Sequence, residues 1–600
     1  MIEGFVDEPL SRYRDEFRER FSELVSEKFE ELRVSSGVDE NANRILVHNI
    51  RTLQSQRENA SKRHALWQYF GILLLVGIIA GIGLLIHDYL QWSGPNYDEI
   101  GAFFRQRFTS FTKGSVSALT AAGCGLLLIF VVVPHSKRLS KKIARLDEQI
   151  SVRLDEAWNQ MSPLNDLYTW EMMTDLIEKT VPGISFDPYF TTRRLIELKQ
   201  NFQWDDEYNE DESVLFSHSG EINGNPFVFG DLKEMHWENK VYTGTRIIHW
   251  TERVTDSNGR SKLVSRSETL VARVEKPVPV YGHDKFLLYG NHAAPNLTFS
   301  REPSELSGAG DGFFANMKKR SKLKDLKALA RNLDDDLDFT MMSNEEFELL
   351  FHAINRDHEV EFRLLFTPLA QQQMVNLLKD QEVGFGDDFM FVKSGCMNLL
   401  RARHLNGLDF SNDPSRFHHY SMEDARTYFQ ETLEGFFKSI YFALAPFLTI
   451  PLYQQIKSDE HPYEEHFGEK ASFWEHEALA NHYGVEHFKH PDCITDCILK
   501  AEVGADLPDG SSVVLITAHG FRGEERIDYP VVYGGDGKFH EVPVRWIKYF
   551  PVQQTSEICV TELPEETQEE VDRVQGILNN WNDQYSNLTY RRSLYACLRR

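Results

Sequence analysis

Cysteine is scarce in this sequence, with six residues among 600. They are scattered, at Cys124, Cys396, Cys493, Cys497, Cys559 and Cys597. A disulfide framework is typical of small secreted chains with dense cysteines, so this usage indicates a reducing compartment. Positive charge is also in short supply, because 65 Lys and Arg face 91 Asp and Glu, which leaves a net charge of −26. Nucleic acid is therefore not expected as a partner, since it requires a basic face.

Formal charge is absent from two long apolar runs, 65–86 and 115–133. A hydrocarbon core of about 30 Å requires roughly 20 apolar residues in a helix. We therefore predict two transmembrane helices, 65–88 and 114–134, within a membrane segment 65–133 that includes a short external loop. The alternative is a pair of buried helices in a soluble domain. No early apolar core precedes residue 65, so we expect the first span, and not a signal peptide, to direct the chain to the membrane.

Lys and Arg in the short flanks predict the orientation of the two spans, because the richer side tends to stay in the cytoplasm. The basic residues before the first span are Arg51, Arg57, Lys62 and Arg63, and those after the second are Lys137, Arg138, Lys141, Lys142 and Arg145. The connecting stretch holds only Arg105, Arg107 and Lys113. Both termini are predicted to be cytoplasmic.

Helical periodicity surrounds the spans. Residues 1–64 are predicted to form amphipathic helices, with Asp7 as a possible cap of a helix over 7–33, and a second pattern that begins near Asn43 runs into the first span. The second span continues through a coiled-coil-like stalk, 135–160. Two helices of about 45 residues would each be about 70 Å long. Small residues, Gly77 and Gly81 on one span and Ser117, Ala121 and Gly125 on the other, either form a packing seam or have no specific role.

The remainder predicts α+β cytoplasmic domains. Residues 165–300 are β-rich, with strands at 213–218, 226–232, 245–254 and 262–275 and a turn at 256–259. Residues 301–340 are predicted to be a linker or insertion with one helix. In 341–453 we expect helix, strand, helix, strand, with the strand VEFRLLFTP at 360–368, followed by a core or interfacial helix that is too short and broken to span. Residues 455–600 form a further α+β region with a β-hairpin.

Part of this region resembles a known family. The stretches Phe347 to Phe351, Asp357 and Val360 to Pro368 are similar to the bacterial two-span membrane proteins of the domain of unknown function 3137 family, as are Phe186-Asp187-Pro188 and residues 220–232. The resemblance covers roughly residues 60–450. It implies a cytoplasmic domain tethered to the bacterial inner (plasma) membrane with no established activity, and it supplies no catalytic residues.

The C-terminal region holds the most reactive side chains. Imidazole and thiolate groups bind zinc, and a set of them lies close together in sequence, at His476, His482, His487, His490, Cys493 and Cys497. Their spacing matches no standard zinc motif, and His476-Glu477 lacks the second histidine that a metalloprotease helix requires. The alternative is that these are ordinary core and surface residues and that the protein has no cofactor.

Other motifs are incomplete. The strand-like VVLITAHGFRG at 513–523 precedes no G-x-S-x-G nucleophile, and Gly534 to Lys538 indicates a hairpin turn because it lacks the phosphate-loop spacing. We interpret the basic residues Arg591, Arg592, Arg599 and Arg600 as a solvated terminus. The sequence favours a membrane-anchored interaction or scaffold protein whose partners are the lipid bilayer and an unidentified protein or a second copy of the chain. The alternative is a zinc-dependent enzyme or sensor that uses 461–497.

Overall fold

The computed structural model describes residues 6, 8–92, 115–116, 118–205, 209–255, 261–304, 306–307, 313–330, 339–457, 470–563, 567–584 and 586–599. The chain has the mixed α+β composition that the sequence predicts. It divides into two compact units. We call Glu27–Tyr168 with Pro414–Gln430 the helical unit, and Met1–Ser26, Thr169–Asp413 and Glu431–Arg600 together the sheet unit.

The helices, in chain order, are α1 (Pro9–Arg12), α2 (Arg18–Ser36), α3 (Glu40–Trp92), α4 (Ala118–Asn165), α5 (Met172–Thr180), α6 (Thr192–Asn201), α7 (Phe313–Leu329), α8 (Glu345–Phe351), α9 (Glu359–Leu365), α10 (Pro368–Lys379), α11 (Met422–Leu448), α12 (Pro451–Gln455), α13 (Phe473–Tyr483) and α14 (Gln568–Gln584). A π-helical turn, Tyr13–Phe17, joins α1 to α2, and another, Leu128–Val132, lies within α4. The first helical pattern therefore extends to Ser36, while the suggested cap Asp7 lies outside the described residues.

The strands, in chain order, are β1 (Ile184–Phe186), β2 (Glu212–Ile222), β3 (Asn225–Thr255), β4 (Ser261–Gly290), β5 (Thr298–Arg301), β6 (Phe389–Ser394), β7 (Met397–Ala402), β8 (Ile498–Asp506), β9 (Ser512–Asp528), β10 (Val531–Tyr533), β11 (Phe539–Glu541), β12 (Val544–Glu562), β13 (Ser586–Arg591) and β14 (Leu594–Leu598). All described pairings between them are antiparallel. The predicted turn at 256–259 lies outside the described residues.

Two helices of the helical unit, α3 and α4, are long and apolar enough to cross a membrane. Only 17% of the apolar window of α3 and 6% of that of α4 is buried, which differs from the buried core pair that the sequence left as an alternative. Both helices continue past the apolar windows, as the sequence predicts. Arg57 and Asp147 join their polar ends with a 3.0 Å ion pair.

Small residues lie where α3 and α4 approach. A Cβ added to Gly77 would lie 3.2 Å from the Cys124 sulfur, and one added to Gly71 would lie 3.1 Å from a methyl group of Val132. Gly77 therefore belongs to a packing seam, whereas a Cβ on Gly125 would meet nothing within 4 Å. Ser117 lies outside the described residues.

The sheet unit contains two main sheets. The first has the order β1-β2-β3-β4-β7-β6-β5, so strands from 165–300 and from 341–453 share it, and the second has the order β13-β14-β12-β9-β8. The predicted strands 226–232 and 245–254 are both segments of β3, which pairs with β4 from Phe227 and Tyr289 out to Thr255 and Ser261. The sequence between them looked like a break because it is largely exposed on both faces.

One strand prediction is wrong. The stretch VEFRLLFTP folds as α9 and the start of α10, because its aromatic side chains at i and i+4 pack on one side. Phe362 and Phe366 lie 4.7 Å apart, and Phe347 and Phe351 of α8 complete this aromatic cluster. Only this side of the helix is buried, since Val360 is 73% exposed and Leu364 57%.

The apolar part of α11 is a core helix, as predicted. Within the sheet unit, Phe437 stacks on Phe21 at 4.2 Å, and the Tyr441 hydroxyl donates to the Pro9 carbonyl at 2.8 Å. The rings of Phe21, Phe437 and Tyr441 are all buried. The residues from Ser439 to Leu448 of this helix are all buried.

The outer part of the β3–β4 ribbon packs against the β9–β12 ribbon. Ile248 and Leu270 form a small core with Val542 and Val544, and Arg246 donates to the Glu541 carbonyl at 2.7 Å. A Cβ on Gly244 would lie 2.1 Å from the Pro543 carbonyl oxygen, so only glycine permits this approach. One face of the ribbon is thereby covered.

Candidate functional site

Three consecutive ionisable residues lie buried on α13, at Glu475, His476 and Glu477. The helix is enclosed on all sides between Trp474 and Ala480, so these groups must find their partners inside the protein. We call Glu475, Glu477 and their partners the charge network.

Glu475 binds two arginines of the β13–β14 hairpin. Its carboxylate lies 2.8 Å from Arg591 Nη1 and 3.2 Å from Arg592 Nη1, and it also accepts from the Ser217 hydroxyl and the Phe190 amide. Both arginines are buried, and burial lowers the pKa of Arg592 to about 10. The predicted solvated terminus is therefore wrong for Arg591 and Arg592, because their charges compensate a carboxylate 116 or more residues earlier.

Arg599 does fit the prediction of a solvated end. Its guanidinium forms a 3.0 Å pair with Glu557, and both side chains remain nearly half exposed. Arg600 lies outside the described residues.

Glu477 pairs with Lys500 of β8. The Lys500 Nζ lies 2.9 Å from Glu477 Oε1, and the Val214 amide of β2 donates to Oε2 at 3.0 Å. Burial raises the pKa of Glu477, while Lys500 acts in the opposite direction. Helix α13 is therefore fastened to both sheets by charge-assisted bonds.

His476 is different, because neither ring nitrogen has a hydrogen-bond partner among the described residues. Burial lowers the pKa of His476 to about 4, and the Glu475 charge opposes that shift. The ring is therefore neutral at physiological pH. His476 is therefore a neutral side chain of the core whose two ring nitrogens form no hydrogen bond with the described residues.

The other predicted zinc ligands are dispersed. The ring centroids of His482 and Trp170 are 5.7 Å apart, and those of His487 and Tyr483 are 4.9 Å apart. His490 Nδ1 accepts a hydrogen bond from the Asp492 amide at 3.1 Å. Only Cys493 and Cys497 come together, with their sulfurs 3.6 Å apart. No group of three or more His, Cys, Asp or Glu in the described part of the chain is arranged to hold a metal ion. The zinc site stays a prediction.

The two incomplete motifs are strand and turn. Residues 513–523 lie within β9 and pair with β12 throughout, so His519 and Gly520 belong to a sheet. Gly534 to Lys538 closes the β10–β11 hairpin, with the Gly534 amide bonded to the Lys538 carbonyl at 2.8 Å. The hairpin prediction is confirmed.

The face of the β3–β4 ribbon opposite its small core is exposed. It carries the odd-numbered residues of 241–253 and 263–275, and we call it the outer ribbon face. Ile247 is 62% exposed and Val271 46%, and they are diagonal neighbours because Thr245 pairs with Val271. Val241 and Leu263 are exposed on the same face.

Sequence reasoning missed this face. The signal was present in the alternation of Val241, Thr243, Thr245 and Ile247, but alternation does not reveal which face is covered. That information comes from the β9–β12 ribbon, which is remote in sequence.

The fold and its internal charge network define a mixed α+β protein with two helices long and apolar enough to cross a membrane. Comparison with known proteins finds no match to a protein-family model, a curated protein or a solved structure.

Proposed function

We propose that this chain is a membrane-anchored interaction or scaffold protein of the bacterial inner membrane, with α3 and α4 in the bilayer and both termini in the cytoplasm. The support for the anchor is the exposure of the apolar side chains on α3 and α4. The support for the orientation is the excess of Lys and Arg in the flanks of both helices.

The observation that carries the interaction role is the outer ribbon face. Ile247 and Val271 are neighbouring apolar side chains exposed on this face, and exposed apolar neighbours are typical of a protein-binding surface. The opposite face of the same ribbon buries Ile248, Leu270 and Ala272, so the ribbon is held in place from one side and is open on the other. Its threonines and aliphatic side chains suit a partner that also presents a β-sheet face.

Crosslinking in intact membranes tests this role. A photoreactive amino acid is placed at Ile247 or at Val271, and at Glu502 as a control, since Glu502 is exposed on β8 outside the outer ribbon face. We expect the two ribbon positions to yield the same adduct, and Glu502 to yield none. The adduct is then identified by mass spectrometry as another protein or as a second copy of the chain.

Either identity supports an interaction surface and distinguishes a scaffold for another protein from a homo-oligomer. Equal labelling at all three positions, or no adduct at Ile247 and Val271, would contradict the proposed surface. Replacement of Ile247 by Asp should abolish the adduct at Val271, whereas Glu502→Gln should leave it unchanged.

A further inference from the structure

A short loop between α13 and β8 holds two thiols side by side. The sulfurs of Cys493 and Cys497 are 3.6 Å apart, and Cys493 Sγ also lies 3.6 Å from the Thr495 carbonyl and hydroxyl oxygens. No disulfide joins them, and both cysteines are free. A disulfide needs an S–S distance of about 2.05 Å. To form one, the two sulfurs must approach each other from 3.6 Å to that distance.

The surrounding structure holds this loop in place. The Ile494 amide donates to the Phe521 carbonyl at 2.9 Å, and the Phe521 amide donates back to Thr495 Oγ1 at 3.1 Å. The Tyr281 hydroxyl reaches the same oxygen at 3.2 Å. These bonds fix the backbone between the two cysteines.

Both sulfurs also lie over one glycine. A Cβ added to Gly520 would lie 2.5 Å from Cys493 Sγ and 2.8 Å from Cys497 Sγ, closer than any real contact. Glycine at this place on β9 therefore makes the space in which the two thiols meet. The pair is built into the fold and does not result from chance proximity on the surface.

The two thiols differ in their access to solvent. Cys493 retains 8% of its surface and Cys497 only 1%. An external reagent therefore reaches the sulfur of Cys493 before that of Cys497, which is more deeply buried.

We propose that Cys493 and Cys497 form a redox-active dithiol that is oxidised reversibly to an intramolecular disulfide by low-molecular-weight disulfides of the glutathione class. Cys493 gives its proton to solvent and its thiolate attacks one sulfur of R–S–S–R, and the first R–S⁻ leaves and takes a proton from solvent to become R–SH. Cys497 then gives its proton to solvent and attacks the Cys493 sulfur, and a second R–SH leaves. Two protein S–H bonds and one external S–S bond become one protein S–S bond and two external S–H bonds, so the protein loses two electrons and the external disulfide gains them.

A second thiol pair provides an internal control. Cys559 and Cys597 lie opposite each other on β12 and β14, 0% and 2% exposed, in a core with Ile577 and Trp581. An external disulfide must reach a sulfur before exchange begins, and neither sulfur of this pair can be reached in the folded sheet. We expect this pair to stay reduced when Cys493 and Cys497 are oxidised.

The test uses the full-length protein in membranes or detergent, treated with excess oxidised glutathione, then denatured and alkylated so that buried free thiols also react, and mapped by mass spectrometry without reduction. We expect a Cys493–Cys497 disulfide that dithiothreitol reverses, and alkylated Cys559 and Cys597. Cys497→Ser should stop the reaction at a glutathione adduct on Cys493, and Cys493→Ser should leave Cys497 alkylated. Cys493→Ala and Cys497→Ala serve if the serine variants fail to fold.

Several outcomes would overturn the proposal. They are free thiols at 493 and 497 after equilibration with the oxidant, a stable glutathione adduct on the wild-type chain, equal oxidation of the Cys559 pair, and a stoichiometric metal ion that protects both thiols. None of them bears on the outer ribbon face, so the proposed interaction role is tested separately.

Discussion

At the scale of single residues, the structure separates charges that the sequence could not distinguish. Arg591, Arg592 and Arg599 lie within nine positions of one another, yet the first two are buried against Glu475 and the third is a surface residue. A buried ion pair adds little to the free energy of unfolding compared with two apolar residues in its place. Removal of one partner lowers that free energy strongly, because the other charge is left buried and uncompensated. Surface pairs contribute far less.

Replacement of Glu475 by Gln should therefore destabilise the sheet unit by about 3–5 kcal/mol, because Arg591 and Arg592 lose their common counter-charge. The measurement is urea unfolding followed by tryptophan fluorescence, for which the neighbouring Trp474 is a local probe. Arg599→Gln is the matched control and should change the free energy of unfolding by less than about 1 kcal/mol. Equal effects of the two substitutions would show that the charge network does not stabilise the fold as described.

His476 gives a prediction about pH. Its pKa of about 4 in the folded protein lies below the ordinary value of 6.5, so between these values the unfolded chain binds more protons than the folded one. The free energy of unfolding is therefore unaffected by this group above pH 6.5. It decreases as the pH falls from 6.5 towards 4, by up to about 3 kcal/mol. His476→Leu should remove this part of the acid sensitivity.

The same variant should be nearly as stable as the wild-type protein at pH 7, within about 1 kcal/mol, because the ring nitrogens have no partner among the described residues. Urea midpoints measured from pH 7 to pH 4.5 test both statements. His487→Leu, at an exposed position, should keep the wild-type pH profile. An unchanged profile in His476→Leu would refute the assignment.

At the scale of elements, sequence patterns succeeded where the environment is uniform along the element. The apolar runs of α3 and α4 and the apolar half of α11 are recognisable because their surroundings are the same from end to end. β3 was split in two because its surroundings change along its length, from a buried root to an exposed outer part. α9 was misread because in seven residues a period of two and a period of 3.6 are hard to separate.

The seam between α3 and α4 can be tested with two glycines of one helix. Gly77→Leu should weaken the pairing by about 1–3 kcal/mol, because its side chain must displace Cys124. Gly83→Leu is the control, since a Cβ at Gly83 meets nothing within 4 Å. The readout is crosslinking between cysteines substituted for Trp67 and His135, whose rings lie 5.0 Å apart.

We expect Gly77→Leu to lower the crosslinked fraction and Gly83→Leu to leave it unchanged. If the two substitutions gave the same crosslinked fraction, the close approach at Gly77 would have no role in holding the helices together.

At the scale of the whole molecule, the features that could be predicted from the sequence are those formed by residues close together along the chain. The helical pair, its polar extensions and the α+β class depend on local patterns and were predicted from them. The charge network joins α13 to strands more than 100 residues away in either direction, and the cover of one ribbon face comes from a ribbon almost 300 residues later. No local pattern contains such information, so the candidate surface and the role of Arg591 and Arg592 appeared only in the fold.

The orientation of the chain is a prediction about the whole molecule, because it decides which compartment every other surface faces. The excess of Lys and Arg beside α3 and α4 predicts that both termini are inside and that the segment near Asn96 is outside. In spheroplasts carrying an epitope tag at either terminus, external protease should spare both tags, whereas a protease site inserted near Asn96 should be cut. Permeabilised cells provide the control, in which both tags are lost. Digestion of a terminal tag in intact spheroplasts would reverse the topology, and the outer ribbon face and the Cys493–Cys497 pair would then face the oxidising side of the membrane, where a lasting disulfide is expected.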